Sequence, residues 1–105
     1  MKLQEIADKL ELSGLTPVFD KDVTGVYISD MVSDIIANAK AGNLLVTVQV
    51  HANALAAANL VDVTAIVLAQ GKQPAEDVLR MAAKHEIAIF TTALNRWQVA
   101  TKLYE

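Results

Sequence analysis

The stretch NLLVTVQVHANALAAAN, residues 43–59, decides the fold of this chain. Its first half, from Leu44 to Val50, is mostly apolar and β-branched, which is typical of a strand buried on both faces. From Asn53 the pattern changes to an alanine-rich helix. The stretch therefore predicts a strand that turns directly into a helix. Three polar residues lie at this corner: Gln49, His51 and Asn53.

The sequence around this corner repeats the same alternation. Apolar strand patterns over residues 23–28, 65–69 and 88–90 are each followed by a helical pattern after a short loop. Strands that alternate with helices at this rhythm indicate a parallel sheet with right-handed crossovers. Ahead of them, residues 2–12 predict an amphipathic surface helix that Ser13-Gly14 ends.

These elements predict one α/β domain over residues 1–105, with a mostly parallel sheet of four or five strands flanked by helices. The N-terminal helix occupies residues 1–14 and the core of βα units occupies residues 23–104. Val18-Phe19 predicts an additional edge strand before that core.

Caps and packing can be predicted for three of the helices. Ser29 or Asp30 should cap the helix after the first strand of the core, and Asn53 should cap the alanine-rich helix. Trp97 recurs at helical spacing with other apolar residues and is expected to pack the last helix onto the sheet. The alternative is that Trp97 lines a pocket.

The composition excludes several classes of function. The formal net charge is −3, and the nine Lys and Arg residues are scattered, so nucleic acid is not an expected partner. The chain has no cysteine, which excludes disulfides and thiolate chemistry. No apolar run reaches the length of a membrane span or a signal-peptide core, so we expect a soluble cytoplasmic protein.

Polar residues gather where the predicted strands end. In a parallel sheet the carboxyl ends of the strands lie at one edge, which is where ligands bind in open α/β folds. Helix N-termini at this edge favour an anion such as a phosphate. The candidate ligand-binding residues are Ser29, Asp30, Gln49, His51, Asn53, Gly71, Thr91 and Thr92. Each of these residue types is also an ordinary helix cap or turn residue.

Catalysis and metal binding find less support in the sequence. His51 is the only residue at this edge that titrates near neutrality, but no recognisable nucleophile accompanies it. His51 and His85 belong to different units and lack a second ligand at metal-binding spacing. Both glycine-rich phosphate loops are absent. We therefore predict no catalytic residue, no metal and no cofactor, with an adenine nucleotide as the candidate ligand.

Two surface features bear on oligomer formation. Asp34 and Asn38 lie one turn apart on a polar helix face, which suits either solvent or a second subunit. An alanine-rich face could form the seam of a homodimer, although the pattern alone does not separate a seam from the core. A homodimer is the expected state.

Taken together, residues 23–104 resemble the DRTGG domain family. The resemblance rests on the glycine and aromatic before Ser29-Asp30, the strand over residues 44–50 with its corner, Gln70-Gly71 ahead of Pro74, and Thr91-Thr92 before the last helix. It implies a small α/β module similar to the N-terminal domain of HPr kinase. It also implies a regulatory role, with adenine nucleotides bound by the combined regulatory region and no catalysis by the domain itself.

The chain also departs from the motif that names the family. Gln49-Val50-His51 stands where a Gly-Asp-Arg type corner is common, and Ala69-Gln70-Gly71 stands where Thr-Gly-Gly is common. This variant is similar to stand-alone DRTGG proteins associated with iron hydrogenase and other redox subunits.

Three hypotheses follow. The first is a dimeric, non-catalytic regulatory or ligand-binding module that uses the polar corners. The second is an interaction subunit that docks on a redox enzyme of the iron hydrogenase type and binds no ligand. The third is an enzyme that uses His51 as its base.

Overall fold

A computed structural model describes residues 1–105 and contains five helices and five strands, which form one sheet. The predicted α/β class with a mostly parallel sheet is confirmed. Along the chain the elements are α1 (Leu3–Leu10), β1 (Ser13–Gly14), β2 (Gly25–Ile28), α2 (Val32–Asn38), β3 (Asn43–Thr47), α3 (Ala52–Leu60), β4 (Ala65–Leu68), α4 (Glu76–Lys84), β5 (Ala88–Thr91) and α5 (Arg96–Tyr104).

The strand order is β1-β5-β4-β3-β2. From β2 to β5 the strands are parallel and lie side by side in chain order, whereas β1 pairs with β5 in the antiparallel direction. Right-handed crossovers that always step in the same direction carry every connecting helix to the same face. Helices α2, α3 and α4 therefore cover one face, and α1 with α5 covers the other.

The side chains of the central strands alternate between these two layers. Leu45, Ile66 and Ile89 belong to the apolar cluster under α2 to α4. Leu44, Val67 and Phe90 belong to the cluster under α1 and α5. Every residue of β3, β4 and β5 is buried, which explains why their sequences read as continuous apolar runs rather than as alternating ones.

The prediction of an edge strand at Val18-Phe19 is wrong. Residues 13 and 14 supply the antiparallel strand instead, with Ser13 opposite Thr91 and Gly14 opposite Phe90. Helix α1 ends at Leu10, before the predicted end, and Glu11 then takes a left-handed conformation with φ 54° that redirects the chain toward β5. Val18 and Phe19 pack their side chains against the cluster under α1 and α5 without joining the sheet.

The predicted caps of α2 and α3 also differ from the structure. Met31 occupies the N-cap position of α2 and makes no side-chain cap, while Ser29 Oγ accepts a hydrogen bond of 3.3 Å from the backbone N–H of Met31. His51, and not Asn53, caps α3, because its Nδ1 accepts the backbone N–H of Asn53 at 3.1 Å. An imidazole nitrogen thus takes the place of the expected amide oxygen.

Trp97 does not pack α5 onto the sheet. Its side chain is 75% exposed, and Val99 is the residue of α5 that is fully buried. The prediction was wrong because apolar residues at helical spacing lie on more than one side of this helix.

Residue 42 must be a glycine because of its backbone conformation and because Thr24 lies against it. We expect Gly42→Ala to be clearly destabilising. Its φ is +83°, and a Cβ there would lie 2.5 Å from Thr24 Oγ1. The left-handed conformation alone costs an alanine roughly 1–2 kcal/mol. The contact with Thr24 should bring the loss in free energy of unfolding to about 2–3 kcal/mol, measured by urea denaturation.

Gly71 provides the matched control. Its φ is +68°, but a Cβ there would meet nothing within 4 Å. Gly71→Ala should therefore show only the conformational cost. Equal losses for the two variants would contradict a role for the Thr24 contact.

Candidate functional site

The carboxyl ends of β2 to β5 lie at one edge of the sheet, which we call the carboxyl rim. Parallel pairing places all eight candidate ligand-binding residues along it or in the loops that follow. Hydrogen bonds within the protein nevertheless divide the rim into parts with different surroundings. Only some of the eight residues retain free polar groups.

Asp30 ties three elements together. Its Oδ1 accepts hydrogen bonds from Thr47 Oγ1 at 2.9 Å and from the backbone N–H of Val48 at 2.8 Å. Its Oδ2 forms an ion pair with Arg96, the first residue of α5. Thr47 is fully buried, so Asp30 satisfies a hydroxyl that water cannot reach. Both carboxylate oxygens of Asp30 are thus engaged in linking the ends of β2 and β3 to α5.

Hydrogen bonds join the loop after β4 to the end of β5 and to the loop that follows it. Gly71 N–H donates to the carbonyl of Thr92 at 2.7 Å, and Thr91 Oγ1 donates to the carbonyl of Lys72 at 2.7 Å. Helices α4 and α5 leave these neighbouring strands toward opposite faces, which is where open α/β sheets usually have a crevice. Here the two loops bridge that crevice.

A shallow depression remains open at the start of α3. Its volume is about 240 Å³, and we call it the His51 depression. The side-chain amides of Gln49 and Asn53 form no hydrogen bond within the protein, so both are free for a ligand. The lining residues are Val32, Gln49, His51 and Asn53.

The capping bond of His51 fixes which ring nitrogen carries a proton. Because Nδ1 accepts the backbone N–H of Asn53, the neutral ring carries its proton on Nε2. Nε2 is therefore a hydrogen-bond donor. To act as a general base, Nε2 would have to be the unprotonated nitrogen. The proton would then lie on Nδ1, where two donors, Nδ1–H and the Asn53 N–H, would face each other and the capping bond would be lost. The cap thus opposes a catalytic role for His51.

A small cavity lies beneath this depression, between the starts of α3 and α4. Its volume is about 10 Å³, which is room for one water molecule. Its walls are mainly apolar, with Leu55, Pro74 and Val78 among them. A nucleotide base does not fit inside it in this conformation.

Thr91 and Thr92 line a separate depression on the other face of the sheet. Its volume is about 340 Å³, and Lys9 from α1 and Lys102 from α5 also border it. Thr92 Oγ1 accepts the backbone N–H of Leu94 at 3.2 Å. The predicted residues therefore do not form one continuous site.

Sequence reasoning missed Arg96. Asn95 and Gln98 form a capping box that starts α5, and Arg96 is the first residue inside the helix. A cation is unfavourable at a helix N-terminus, where the dipole favours negative charge. An arginine in the first turn of the last helix was therefore a signal that a carboxylate lies nearby, and Asp30 is that carboxylate.

A second polar network lies on α2, away from the His51 depression. Tyr27 OH donates to Asp34, 2.9 Å from Oδ1 and 2.8 Å from Oδ2, and Asn38 Nδ2 donates to Oδ1 at 2.7 Å. The hydroxyl of Ser29, the amide of Asn38 and the hydroxyl of Tyr27 lower the pKa of Asp34 below its ordinary value of 3.8. The hydrogen bond to Asp34 raises the pKa of Tyr27. Asp34 and Asn38 thus anchor the tyrosine of β2.

The structure also bears on metal binding and on insertion into a membrane. No three or more acidic or histidine side chains approach each other closely enough to hold a metal ion. The longest helices have nine residues, and none combines the length and hydropathy that crossing a bilayer requires.

Comparison with solved structures identifies a similar fold. The crystal structure of the CBS and DRTGG domains of the regulatory region of Clostridium perfringens pyrophosphatase, complexed with its activator diadenosine tetraphosphate, superposes with a TM-score of 0.77 and 18% sequence identity. The match covers 96% of this chain and 45% of that one, so the present chain spans less than half of the regulatory region. Comparison with curated proteins gives no significant match.

Comparison with protein families shows where the chain belongs. The DRTGG domain profile matches residues 6–105 and so includes most of α1, which the resemblance over residues 23–104 had left out. The βα corners, the alanine-rich α3 and the closing α5 all lie within the matched region. The chain is therefore a member of the DRTGG domain family.

Proposed function

We propose that this protein is a non-catalytic regulatory module that binds an adenine nucleotide, or another small phosphorylated ligand, in the His51 depression. The observation that carries the proposal is the grouping of Gln49, His51 and Asn53, whose side chains keep polar groups free at the start of α3. The other candidate residues along the carboxyl rim use their polar groups for the fold or lie in a different depression.

The chemistry of the depression suits a phosphate. His51 Nε2–H and the amide groups of Gln49 and Asn53 are hydrogen-bond donors, and the N-terminus of α3 adds a positive partial charge. Phosphate oxygens are strong acceptors and favour helix N-termini. The pyrophosphatase regulatory region that shares this fold was solved with diadenosine tetraphosphate, which supports adenine nucleotides as the class to test first.

A thermal-shift series of the purified protein against AMP, ADP, ATP, diadenosine tetraphosphate and phosphate tests the proposal. A ligand that binds only the native state raises the melting temperature in a dose-dependent way. His51→Asn should abolish that shift while keeping an oxygen that can cap α3. Calorimetric titration would then give the affinity.

Two controls separate binding from folding. His85→Ala removes the other histidine, which follows α4 at the opposite edge of the sheet, and should leave the ligand shift unchanged. Thr92→Val alters the separate depression beside Lys9 and should do the same. A shift that survives His51→Asn but is lost in Thr92→Val would move the site to that second depression. No shift with any of these compounds would count against ligand binding at the rim.

The second hypothesis, an interaction subunit of a redox enzyme with no ligand at the rim, has one supporting observation. Apolar side chains are exposed along β2 and α5. Such a subunit would have to present this surface to its partner, and would therefore be monomeric on its own. The oligomeric state in solution thus discriminates between this hypothesis and a homodimer.

A further inference from the structure

An apolar surface is left uncovered at the β2 edge of the sheet. Val26 and Ile28 pair in register with Leu44 and Val46, whose side chains lie in the cluster under α1 and α5. Helix α5 reaches β3 but does not cover β2, so Val26 is 44% and Ile28 41% exposed. The groove between β2 and α5 is lined only by apolar residues: Val26, Ile28, Ala100, Leu103 and Tyr104.

Helix α5 extends this surface. Trp97, Ala100 and Tyr104 recur at helical spacing and therefore lie on the same side of the helix. Trp97 is 75% and Tyr104 is 95% exposed. We call the set formed by Val26, Ile28, Trp97, Ala100, Leu103 and Tyr104 the β2–α5 patch.

We propose that a second copy of this chain covers the β2–α5 patch about a two-fold axis, with β2 facing β2 and α5 facing α5. This inference goes beyond ligand binding and does not depend on it.

The area and the shape of the patch both favour this partner. Aromatic side chains as exposed as Trp97 and Tyr104 can each bury roughly 150–250 Å². Those two residues alone would supply about half of the roughly 800 Å² that each partner contributes to a stable interface. The outer edge of β2 has no neighbouring strand. Because an edge strand can pair with its own copy, a two-fold axis would cover edge and patch together.

The alanine-rich face is not available for this role. Ala54, Ala57 and Ala58 are buried within the protein's own core. Other exposed apolar side chains, such as Leu60 and Met81, belong to helices on the opposite face of the sheet. The β2–α5 patch is therefore the surface that suits an apolar dimer seam.

Sedimentation velocity of the whole chain, combined with the fluorescence of its single tryptophan, tests the proposal. We expect a species of twice 11.3 kDa, with Trp97 emission that shifts to the blue as the concentration rises. Ile28→Lys brings two ammonium groups together across the axis and should weaken association about tenfold or more. Tyr104→Lys changes the other element of the patch and should act in the same direction.

Met81→Lys is the matched control, because Met81 is 51% exposed and lies on α4, away from the patch. It should leave the dimer intact, and circular dichroism should show that all three variants are folded. A monomer at every concentration, with a solvent-exposed Trp97, would overturn the proposal in favour of a docking subunit. A dimer that persists in both patch variants would also overturn it, by placing the seam elsewhere.

The monomeric Ile28→Lys variant should still show the ligand shift, so failure of the dimer proposal is distinguishable from failure of the ligand-binding proposal.

Discussion

Replacing Phe90 with alanine should lower the free energy of unfolding by about 3–5 kcal/mol. Phe90 is 1% exposed and is among the largest fully buried side chains, in the cluster between the sheet and helices α1 and α5. A small domain has only about 5–15 kcal/mol of total stability, so the variant should be close to unfolded in mild denaturant.

The chain contains one other phenylalanine, which serves as the control for this substitution. Phe19 is half-buried against the same cluster. Phe19→Ala therefore removes the same side-chain atoms as Phe90→Ala does, but less of the apolar surface that it removes is buried in the core. Urea denaturation should give a cost for Phe19→Ala that is less than half that of Phe90→Ala. Similar costs for the two variants would mean that the α1 and α5 layer packs less tightly than its burial indicates.

The second large effect is expected for Asp30→Ala, which should cost about 2–4 kcal/mol in free energy of unfolding. The substitution removes the acceptor for both Thr47 Oγ1 and the backbone N–H of Val48. It leaves the buried Thr47 hydroxyl without an acceptor for its proton, although that oxygen still accepts the backbone N–H of Gln49, and it leaves Arg96 unpaired at the positive end of α5. Urea denaturation measures the loss.

Asp30→Asn separates the hydrogen bonds from the charge. An asparagine keeps an oxygen that can accept from Thr47 and Val48 but gives up the ion pair with Arg96. The pair is partly exposed, with 32% of the Asp30 and 40% of the Arg96 side chain accessible, so it should contribute only about 0–1 kcal/mol. Asp30→Asn should therefore behave almost as the wild type does. If it were as costly as Asp30→Ala, the charge and not the hydrogen bonds would hold the corner.

The sequence predicted the parts of the fold that local patterns determine. The apolar run of β3, the alanine-rich α3 and the alternation of strands with helices all carry periodic signals in the sequence. Strand β1 carries no such signal, because two residues are too few for a pattern and their pairing depends on β5. Val18 and Phe19 are apolar because they cover a cluster, and burial alone does not make a strand.

The candidate site was less predictable for a different reason. Capping and ligand binding use the same residue types, so the sequence could not separate Asp30, whose oxygens are engaged in the fold, from Gln49, whose amide is free. The Asp30–Arg96 pair joins residues far apart in the chain. The prediction for Trp97 failed for a similar reason, because an exposed apolar residue can have the same helical spacing as a buried one.

The distribution of helices over the two faces has a consequence for synthesis on the ribosome. The α2 to α4 layer assembles from neighbouring βα units and can form as each unit emerges. Helix α1 precedes every strand in the chain, yet the elements that bury its apolar side include β5 and α5, which emerge after the other elements of this domain. Leu3, Ile6 and Leu10 must therefore remain incompletely buried until β5 and α5 have been synthesised. Until α5 has emerged, the nascent chain exposes the apolar side of an amphipathic helix, which favours aggregation.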